Sequence, residues 1–226
     1  MIRKFFEARK LRPYKTCAMV LDLRGREIRG CPRTEPEQGI YYEMGMCTTV
    51  RAADRHNLES KSTHDCLFVD NVMVFRAVRP GDDISFNEGK LNGVVLEVEQ
   101  DFFKVQFKHA GLLEGGGSVL IPGHRLAQLP ILQPQDKDDI VRIAVRNNFD
   151  YILVPKVTSV KDVQEIKYAR TDAGKKIGIL AKVDNLEAVH QFEGILKYAD
   201  GVVVLRNELI NELPPEKLML AQKWMI

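Results

Sequence analysis

The sequence predicts an α/β protein in which a parallel β-sheet is interrupted by an all-β insertion. In the second half of the chain, short and continuously apolar runs alternate with amphipathic runs. Continuous apolar runs are typical of strands that are buried on both faces. Within the first half, apolar and polar residues alternate strictly over several short stretches. That second pattern is typical of strands with one face in solvent.

Four apolar runs are the predicted strands of the parallel sheet. They cover residues 16–22, 150–155, 176–182 and 200–205. Amphipathic runs predict helices over residues 138–147, 159–173, 185–198 and 215–224. Start signals for these helices are Asp138 or Asp139, Ser159 with Asp162, Asp184 or Asn185, and the pair Pro214 and Pro215. Strands that alternate with helices form right-handed βαβ units, which bind ligands at the carboxyl ends of the strands.

The all-β insertion is predicted from about residue 32 to residue 123, which divides the chain into segments 1–31, 32–123 and 124–226. Inside it, alternation predicts an antiparallel hairpin with one dry face. The apolar residues of this hairpin are Val94, Leu96 and Val98 in one strand and Phe103, Val105 and Phe107 in the other. Residues 32–62 are polar and aperiodic, which leaves partial disorder open there.

Composition and charge exclude several classes of protein. The chain has 33 basic and 31 acidic residues, so its formal charge of +2 does not favour binding to nucleic acid or to an anionic membrane. No apolar run has the length of a signal peptide core or a membrane span. Four cysteines without CxxC spacing, Cys17, Cys31, Cys47 and Cys66, are interpreted as thiols. These features together predict a cytoplasmic protein.

Several segments, in order along the chain, carry a resemblance to a known family. Residues 18–29 (AMVLDLRGREIR) resemble ALDTKGPEIR of the pyruvate kinases, and residues 177–187 (IGILAKVDNLE) resemble KIISKIENHE. Residues 200–214 (DGVVVLRNELINELP) resemble DGIMVARGDLGIEIP, and residues 216–226 (EKLMLAQKWMI) resemble the helix AEKVFLAQKMMI. The resemblance to the pyruvate kinase family thus extends over residues 17–226.

The resemblance implies a partial TIM-type (β/α) barrel of about four parallel strands with an inserted all-β lid domain. It also implies an enzyme of glycolysis, a phosphotransferase that moves a phosphoryl group from phosphoenolpyruvate to ADP to give pyruvate and ATP. Outside the insertion, however, only about 130 residues remain, whereas a closed eight-stranded barrel needs roughly 200–250. Three explanations stay open: another chain supplies the missing strands, the sheet flattens, or the sequence is an incomplete gene model.

The resemblance also implies a phosphoryl site at the ends of the last two strands. Lys182 matches the family lysine that faces the transferring phosphoryl group. Asp184 and Glu208 match two carboxylates that hold Mg²⁺, although the family has the longer acid first and the shorter acid second. Asn207 and Glu208 stand where the family places its substrate-binding Gly-Asp pair.

Two substitutions predict impaired activity. Ile210 stands in place of a family glycine, where a β-branched residue would be strained at positive φ and would crowd the substrate. Asp22 matches the family's K⁺ ligand, but Leu23 follows it in place of a threonine and supplies no oxygen, so the resemblance implies K⁺ dependence only weakly.

Two further residues complete the implied site. Arg29 matches the family arginine that binds the substrate phosphate, and Glu88 of the lid corresponds to a residue that faces the nucleotide. The alternative to an impaired enzyme is a non-catalytic pseudoenzyme. Such an assembly module would pair, as a homo- or hetero-oligomer, with pyruvate kinase chains.

Overall fold

The computed structural model describes residues 2–30, 34–53, 61–121, 123–171 and 177–226. In chain order the strands are β1 (Val20–Asp22), β2 (Ile28–Arg29), β3 (Ile40–Tyr42), β4 (Cys47–Ala52), β5 (Cys66–Val69), β6 (Asp83–Phe86), β7 (Leu91–Val98), β8 (Phe102–Phe107), β9 (Gly111–Leu113), β10 (Ser118–Leu120), β11 (Tyr151–Val154), β12 (Gly178–Val183) and β13 (Gly201–Val204). The helices are α1 (Ile2–Leu11), α2 (Val74–Ala77), α3 (Gly123–Leu126), α4 (Pro134–Asp139), α5 (Val160–Thr171), α6 (Leu186–His190), α7 (Phe192–Tyr198), α8 (Arg206–Leu209) and α9 (Pro215–Met225), and a π-helical segment (Ile140–Val145) continues α4.

Four strands form a parallel sheet in the order β1-β11-β12-β13. The two central strands are apolar except for Lys182 near the end of β12. Ile152, Val154, Ile179 and Ala181 on one face are fully buried, and Leu153 and Leu180 on the other face are partly buried. The predicted α/β class and the number of parallel strands are therefore confirmed. Each strand is shorter than its predicted run, and Lys176, the predicted start of the third run, lies outside the described residues.

Seven strands form a second sheet in the order β2-β10-β6-β7-β8-β4-β5, and β3 pairs with β9 beside it. Phe103, Val105 and Phe107 are buried as predicted. The predicted face of β7 is wrong, because a β-bulge between Val95 and Glu97 changes the alternation. Before the bulge Val95 is buried in phase with Leu91 and Gly93, whereas Leu96 in the bulge is 44% exposed and Val98 after it packs against the core.

Residues 32–62 contain more structure than their polar sequence suggested. β3 and β4 both lie within this stretch, and Tyr42 is fully buried against Phe107 at a ring-centroid distance of 4.3 Å. Residues 32–33 and 54–60 lie outside the described residues, as does Cys31. Cys17, Cys47 and Cys66 are free thiols, as predicted. The division of the chain at residues 32 and 123 stays a prediction.

The helix starts follow local capping chemistry. Asn185 caps α6 as predicted, because its side-chain oxygen accepts a hydrogen bond from the Ala188 N–H at 2.9 Å. Asp162 accepts from the Ser159 N–H at 3.1 Å, which confirms the start predicted for α5. The start predicted at Asp138 or Asp139 is wrong, since Gln133 begins α4 in a capping box with Asp136.

Two predicted helices are not continuous. The predicted helix 138–147 changes from α to π geometry at Ile140, and the predicted helix 185–198 breaks at Gln191 into α6 and α7. The last helix, predicted from Pro215 to Trp224, is observed as α9. In the part of the chain that the structure describes, no helix is long and apolar enough to cross a membrane.

Candidate functional site

Charged side chains collect at the carboxyl edge of the parallel sheet. Asp22 ends β1, and Lys156 comes two residues after the end of β11. Lys182 lies near the end of β12, Asp184 follows that strand directly, and Glu208 lies in α8, just after β13. Four consecutive positions in the sheet therefore deliver three carboxylates and two ammonium groups to one edge, where parallel sheets bind their ligands.

A cavity of about 580 Å³ separates this edge from the seven-stranded sheet. Lys156, Asp184 and Glu208 line one side of it, and Ser85 and Lys108 line the opposite side. A larger cavity of about 750 Å³ opens at the amino ends of the strands, beside Arg9 and Asp150 among others. None of the predicted site residues lines that larger cavity, so the smaller one is the candidate site.

Lys182 and Asp22 form an ion pair across the sheet. The Lys182 Nζ lies 2.9 Å from one carboxylate oxygen of Asp22 and 3.0 Å from the other. Lys182 is only 8% exposed, whereas the Asp22 side chain reaches solvent. The lysine predicted to face a phosphoryl group is thus held by the acid predicted to bind K⁺.

Lys156, Asp184 and Glu208 form a second group, which we name the Lys156 cluster. The Lys156 Nζ contacts Glu208 Oε2 directly and lies 3.7 Å from Asp184 Oδ2. The backbone N–H of Lys156 also donates to Asp184 Oδ2 at 3.0 Å. The other oxygen of Asp184 accepts from the Asn185 side-chain amide at 2.9 Å. Lys156 and Asp184 are buried, and the Glu208 side chain is 20% exposed.

The charge of Lys156 depends on its two carboxylates. Burial is the largest influence and by itself would lower the pKa of this lysine. The negative charges of Asp184 and Glu208 outweigh burial and raise the pKa above its ordinary value. The Lys156 side chain is therefore a permanent cation at neutral pH, placed between two acids at the edge of the cavity.

A family model described as "Pyruvate kinase, barrel domain" matches residues 1–226 of the chain. The chain belongs to the pyruvate kinase family. Among curated relatives, the pyruvate kinase of Eimeria tenella is 30% identical over 226 residues, which cover 100% of this chain and 41% of that protein. The human pyruvate kinase PKLR is 32% identical over 216 residues, which cover 94% of this chain and 37% of that protein.

Solved structures of pyruvate kinases have the same fold. A crystal structure of Cryptosporidium parvum pyruvate kinase superimposes with a TM-score of 0.83 at 28% identity, over 100% of this chain and 47% of that one. The structure of that enzyme in complex with ADP gives a TM-score of 0.81 at 28% identity, over 99% of this chain and 45% of that one. These matches confirm the predicted family and the partial TIM-type barrel. This chain spans about two fifths of the length of its curated relatives.

The cations implied by membership of the pyruvate kinase family fit these residues poorly. Mg²⁺ requires about six oxygen ligands in near-octahedral geometry, but the Lys156 ammonium already lies between Asp184 and Glu208. Within the described ranges, no three His, Cys, Asp or Glu side chains are grouped to hold a metal ion. For K⁺, Asp22 is paired with Lys182, and the Leu23 side chain is buried in the apolar core.

The remaining predicted site residues lie around these two groups. Arg29 is exposed in β2, and its guanidinium donates to Glu27 Oε2 at 3.0 Å. Glu88 is exposed in the turn between β6 and β7, and its backbone N–H donates to Ser118 Oγ at 3.0 Å. Asn207 is exposed in α8, beside Glu208. The structure places these side chains on the surface, outside both ion groups.

The predicted strain at Ile210 is wrong. This residue ends α8 with φ −62° and ψ −20°, which is ordinary right-handed helical backbone. Its side chain is 49% exposed and lines the cavity. The substitution of a family glycine by isoleucine is therefore accommodated by a helical turn, and any effect on a ligand comes from the side chain and not from the backbone.

The turn at Glu88 also brings the insertion into contact with the parallel sheet. A Cβ atom at Gly89 would lie 2.4 Å from Asn211 Oδ1. The Asn211 side-chain amide donates in turn to the backbone oxygen of Glu208 at 3.1 Å. The insertion is thus in contact with the residues that directly follow α8, the helix that carries Glu208.

Sequence reasoning missed Lys156 and Arg26. The strand predicted over residues 150–155 ends at Pro155, so the sequence predicts that Lys156 lies in a loop. Ligands bind at the carboxyl ends of parallel strands, and Lys182 is selected as a site residue on that ground. The same criterion also selects Lys156. Arg26 forms a bidentate ion pair with Asp162, 136 residues later, and no local signal reports such a pairing.

Proposed function

We propose that this chain carries a phosphotransferase site of the pyruvate kinase type, for transfer of a phosphoryl group from phosphoenolpyruvate to ADP, and that its own turnover is impaired. The observation that carries the proposal is the buried Lys182 at the carboxyl edge of the parallel sheet, in a segment whose sequence resembles the one that carries the family lysine. Phosphoryl transfer needs little covalent chemistry from the protein and depends on cations placed around the phosphoryl oxygens.

The predicted site residues would divide the task, with Asp184 and Glu208 lining the cavity and the others lying beside it. Lys182 would neutralise the oxygens of the transferring phosphoryl group once it leaves Asp22. Arg29 would bind the substrate phosphate, Asn207 and Glu208 would border the substrate, and Glu88 would face the nucleotide from the lid. A cavity of about 580 Å³ is within the range of small-molecule sites.

Impaired turnover is supported by the state of the charged groups. Lys182 is paired with Asp22. Asp184 and Glu208 are both paired with Lys156. Each group must exchange a protein partner for a ligand before it can act in transfer.

A coupled assay with phosphoenolpyruvate, ADP, Mg²⁺ and K⁺ on the purified chain tests this proposal. We expect a turnover at least about a hundredfold below that of a full-length relative, since the loss of one pre-arranged electrostatic contact costs that much. Lys182→Met should remove the residual turnover, and Lys161→Met, at an exposed lysine of α5, should leave it unchanged. Turnover at ordinary kinase rates would contradict impairment, and an effect of Lys161→Met equal to that of Lys182→Met would contradict the role of Lys182.

A non-catalytic assembly module is a second candidate function. Among the described residues, β1 and β13 each have a strand partner on one side only, and Val20 in β1 is 42% exposed. Unpaired strand edges are templates for pairing with another chain. This function predicts that the chain co-purifies with a full-length pyruvate kinase. A chain that stays monomeric, soluble and alone during size-exclusion chromatography with such a partner would contradict it.

A further inference from the structure

Asp184 and Glu208 share the positive charge of one lysine side chain. In this chain the Asp184 and Glu208 carboxylates follow β12 and β13 and both face the Lys156 Nζ. The ammonium comes from Lys156, two residues after the end of the neighbouring strand β11, so the same edge of the sheet supplies the cation. The positive charge of the cleft is thus covalently attached to the chain.

The backbone of Lys156 is fixed by charged neighbours on both sides. Its N–H donates to Asp184 Oδ2 at 3.0 Å, and its carbonyl oxygen accepts from Arg26 Nη1 at 3.1 Å. The residue has φ 56°, a left-handed conformation that costs a non-glycine residue energy and persists only where the surroundings impose it. Lys156 is therefore built into its position and is not a loop lysine that swings in from solvent.

A metal ion would have to displace several donors from Asp184. One oxygen of this acid accepts the Lys156 N–H and lies 3.7 Å from its ammonium, and the other accepts the Asn185 amide. The Asp184 side chain has no exposed area, and Lys156 closes the side that faces Glu208. Entry of a hydrated divalent cation requires the ammonium to leave a buried position in which it is paired with two carboxylates.

We propose that Lys156 replaces a divalent metal ion between Asp184 and Glu208, so that this cleft carries its positive charge without Mg²⁺. The inference concerns the same cleft as the proposed function and rests on it only for the location of the site. It is tested by metal binding, which does not require turnover, so the two proposals fail separately.

The experiment measures the binding of Mn²⁺, by electron paramagnetic resonance of the free ion and by titration calorimetry. We expect the unaltered chain to show no Mn²⁺ binding at the Lys156 cluster at millimolar concentration. Lys156→Met removes the ammonium and keeps a side chain of similar length. This variant should bind Mn²⁺ at least about tenfold more tightly than the unaltered chain, and the further change Asp184→Asn should abolish the gain.

Controls and a second variant keep the result decisive. Lys161→Met, at an exposed lysine, should bind Mn²⁺ no better than the unaltered chain. If Lys156→Met does not fold, Lys156→Gln is used, because an amide removes the charge and still donates to the carboxylates. The inference is overturned if the unaltered chain binds Mn²⁺ through Asp184, or if a folded Lys156 variant gains no binding.

Discussion

Two buried cations at the carboxyl edge of the parallel sheet differ in how they are paired. Arg26 donates from two nitrogens to both oxygens of Asp162, at 2.7 Å each, and its Nε donates to the Leu129 carbonyl at 2.6 Å. Lys156 instead divides one point charge between two acids, of which Glu208 is partly exposed. Both side chains line the same cavity, but all three guanidinium nitrogens of Arg26 donate to acceptors within the protein.

The contrast separates a structural ion pair from a site. Asp162 also accepts the backbone N–H groups of Thr158 and Ser159, so the Arg26 pair joins the start of α5 to the segment between β1 and β2. Both oxygens of Asp162 are therefore occupied by donors from the protein. The Lys156 cluster has fewer donors per acid and an open side, and that incompleteness is what allows it to exchange partners.

Removal of one partner from the Arg26 pair should have the largest effect on stability. Asp162→Asn leaves a buried guanidinium without its carboxylate, and we expect the free energy of unfolding to fall by about 3–5 kcal/mol. Urea-induced unfolding at neutral pH, followed by circular dichroism, measures this loss. A loss below that of Lys156→Met would contradict the structural role of the pair.

The same variant has a defined pH dependence. Burial alone would raise the pKa of Asp162, but the Arg26 guanidinium and the Thr158 N–H outweigh burial and lower it. The stabilisation from the ionised acid is therefore present at neutral pH and is lost as the pH falls through that lowered value. The difference between the unaltered chain and Asp162→Asn should shrink below about pH 4. A difference that stays constant down to about pH 2 would contradict this.

Lys156→Met should destabilise the chain less than Asp162→Asn. It leaves two acids without their cation, but Glu208 is partly exposed and can turn toward water, so we expect a loss of about 2–3 kcal/mol. Addition of Mn²⁺ should recover part of that loss in this variant only. Lys161→Met, as the matched control, should change the unfolding free energy by less than about 0.5 kcal/mol.

The contact between the insertion and α8 should have the smallest effect. Gly89 and Gly81 have φ 93° and 89°, but a Cβ atom at Gly81 meets no atom within 4 Å, while one at Gly89 meets Asn211. Both alanine variants carry the same backbone penalty, so the excess cost of Gly89→Ala over Gly81→Ala isolates the contact. We expect an excess of about 0.5–1 kcal/mol, because Asn211 gives up its bond to the Glu208 carbonyl.

A background variant sharpens this last comparison. In Asn211→Ala, the excess cost of Gly89→Ala should disappear, because the atom that a Cβ would meet is gone. The cost of Asp162→Asn should be the same in either background, since the Arg26 pair does not involve the insertion turn. An excess that persists without the Asn211 side chain would contradict the assigned contact.

The sequence predicts the parallel sheet well because burial leaves the strands almost entirely apolar, with charged residues such as Asp22 and Lys182 only near their carboxyl ends. Ile152 and Ala181 are fully buried, and such runs admit few other structures. The face of β7 was predicted wrongly because a bulge at Val95 adds one residue to the alternation, and single bulges leave no clear mark in a sequence. The π-helical segment from Ile140 also leaves no clear mark in the sequence, because its apolar spacing resembles that of an α-helix.

The candidate site is only partly predictable from the sequence. Lys182, Asp184 and Glu208 could be selected because they follow apolar strands and match a family motif. Their partners could not, because the pairing of Lys182 with Asp22 joins residues 160 positions apart. The predicted strain at Ile210 failed because a backbone conformation was carried over from a glycine, whereas α8 supplies a different one.

The wide separation between β1 and β11 affects the order of assembly during synthesis. The Met19 N–H at the start of this pairing donates to Asp150, 131 residues later, while β2 to β10 pair entirely among themselves. At the usual rate of translation, roughly ten seconds pass between the emergence of β1 and that of its neighbour. We expect the insertion to fold during that interval. β1 would then stay unpaired beside the folded insertion until β11 is synthesised.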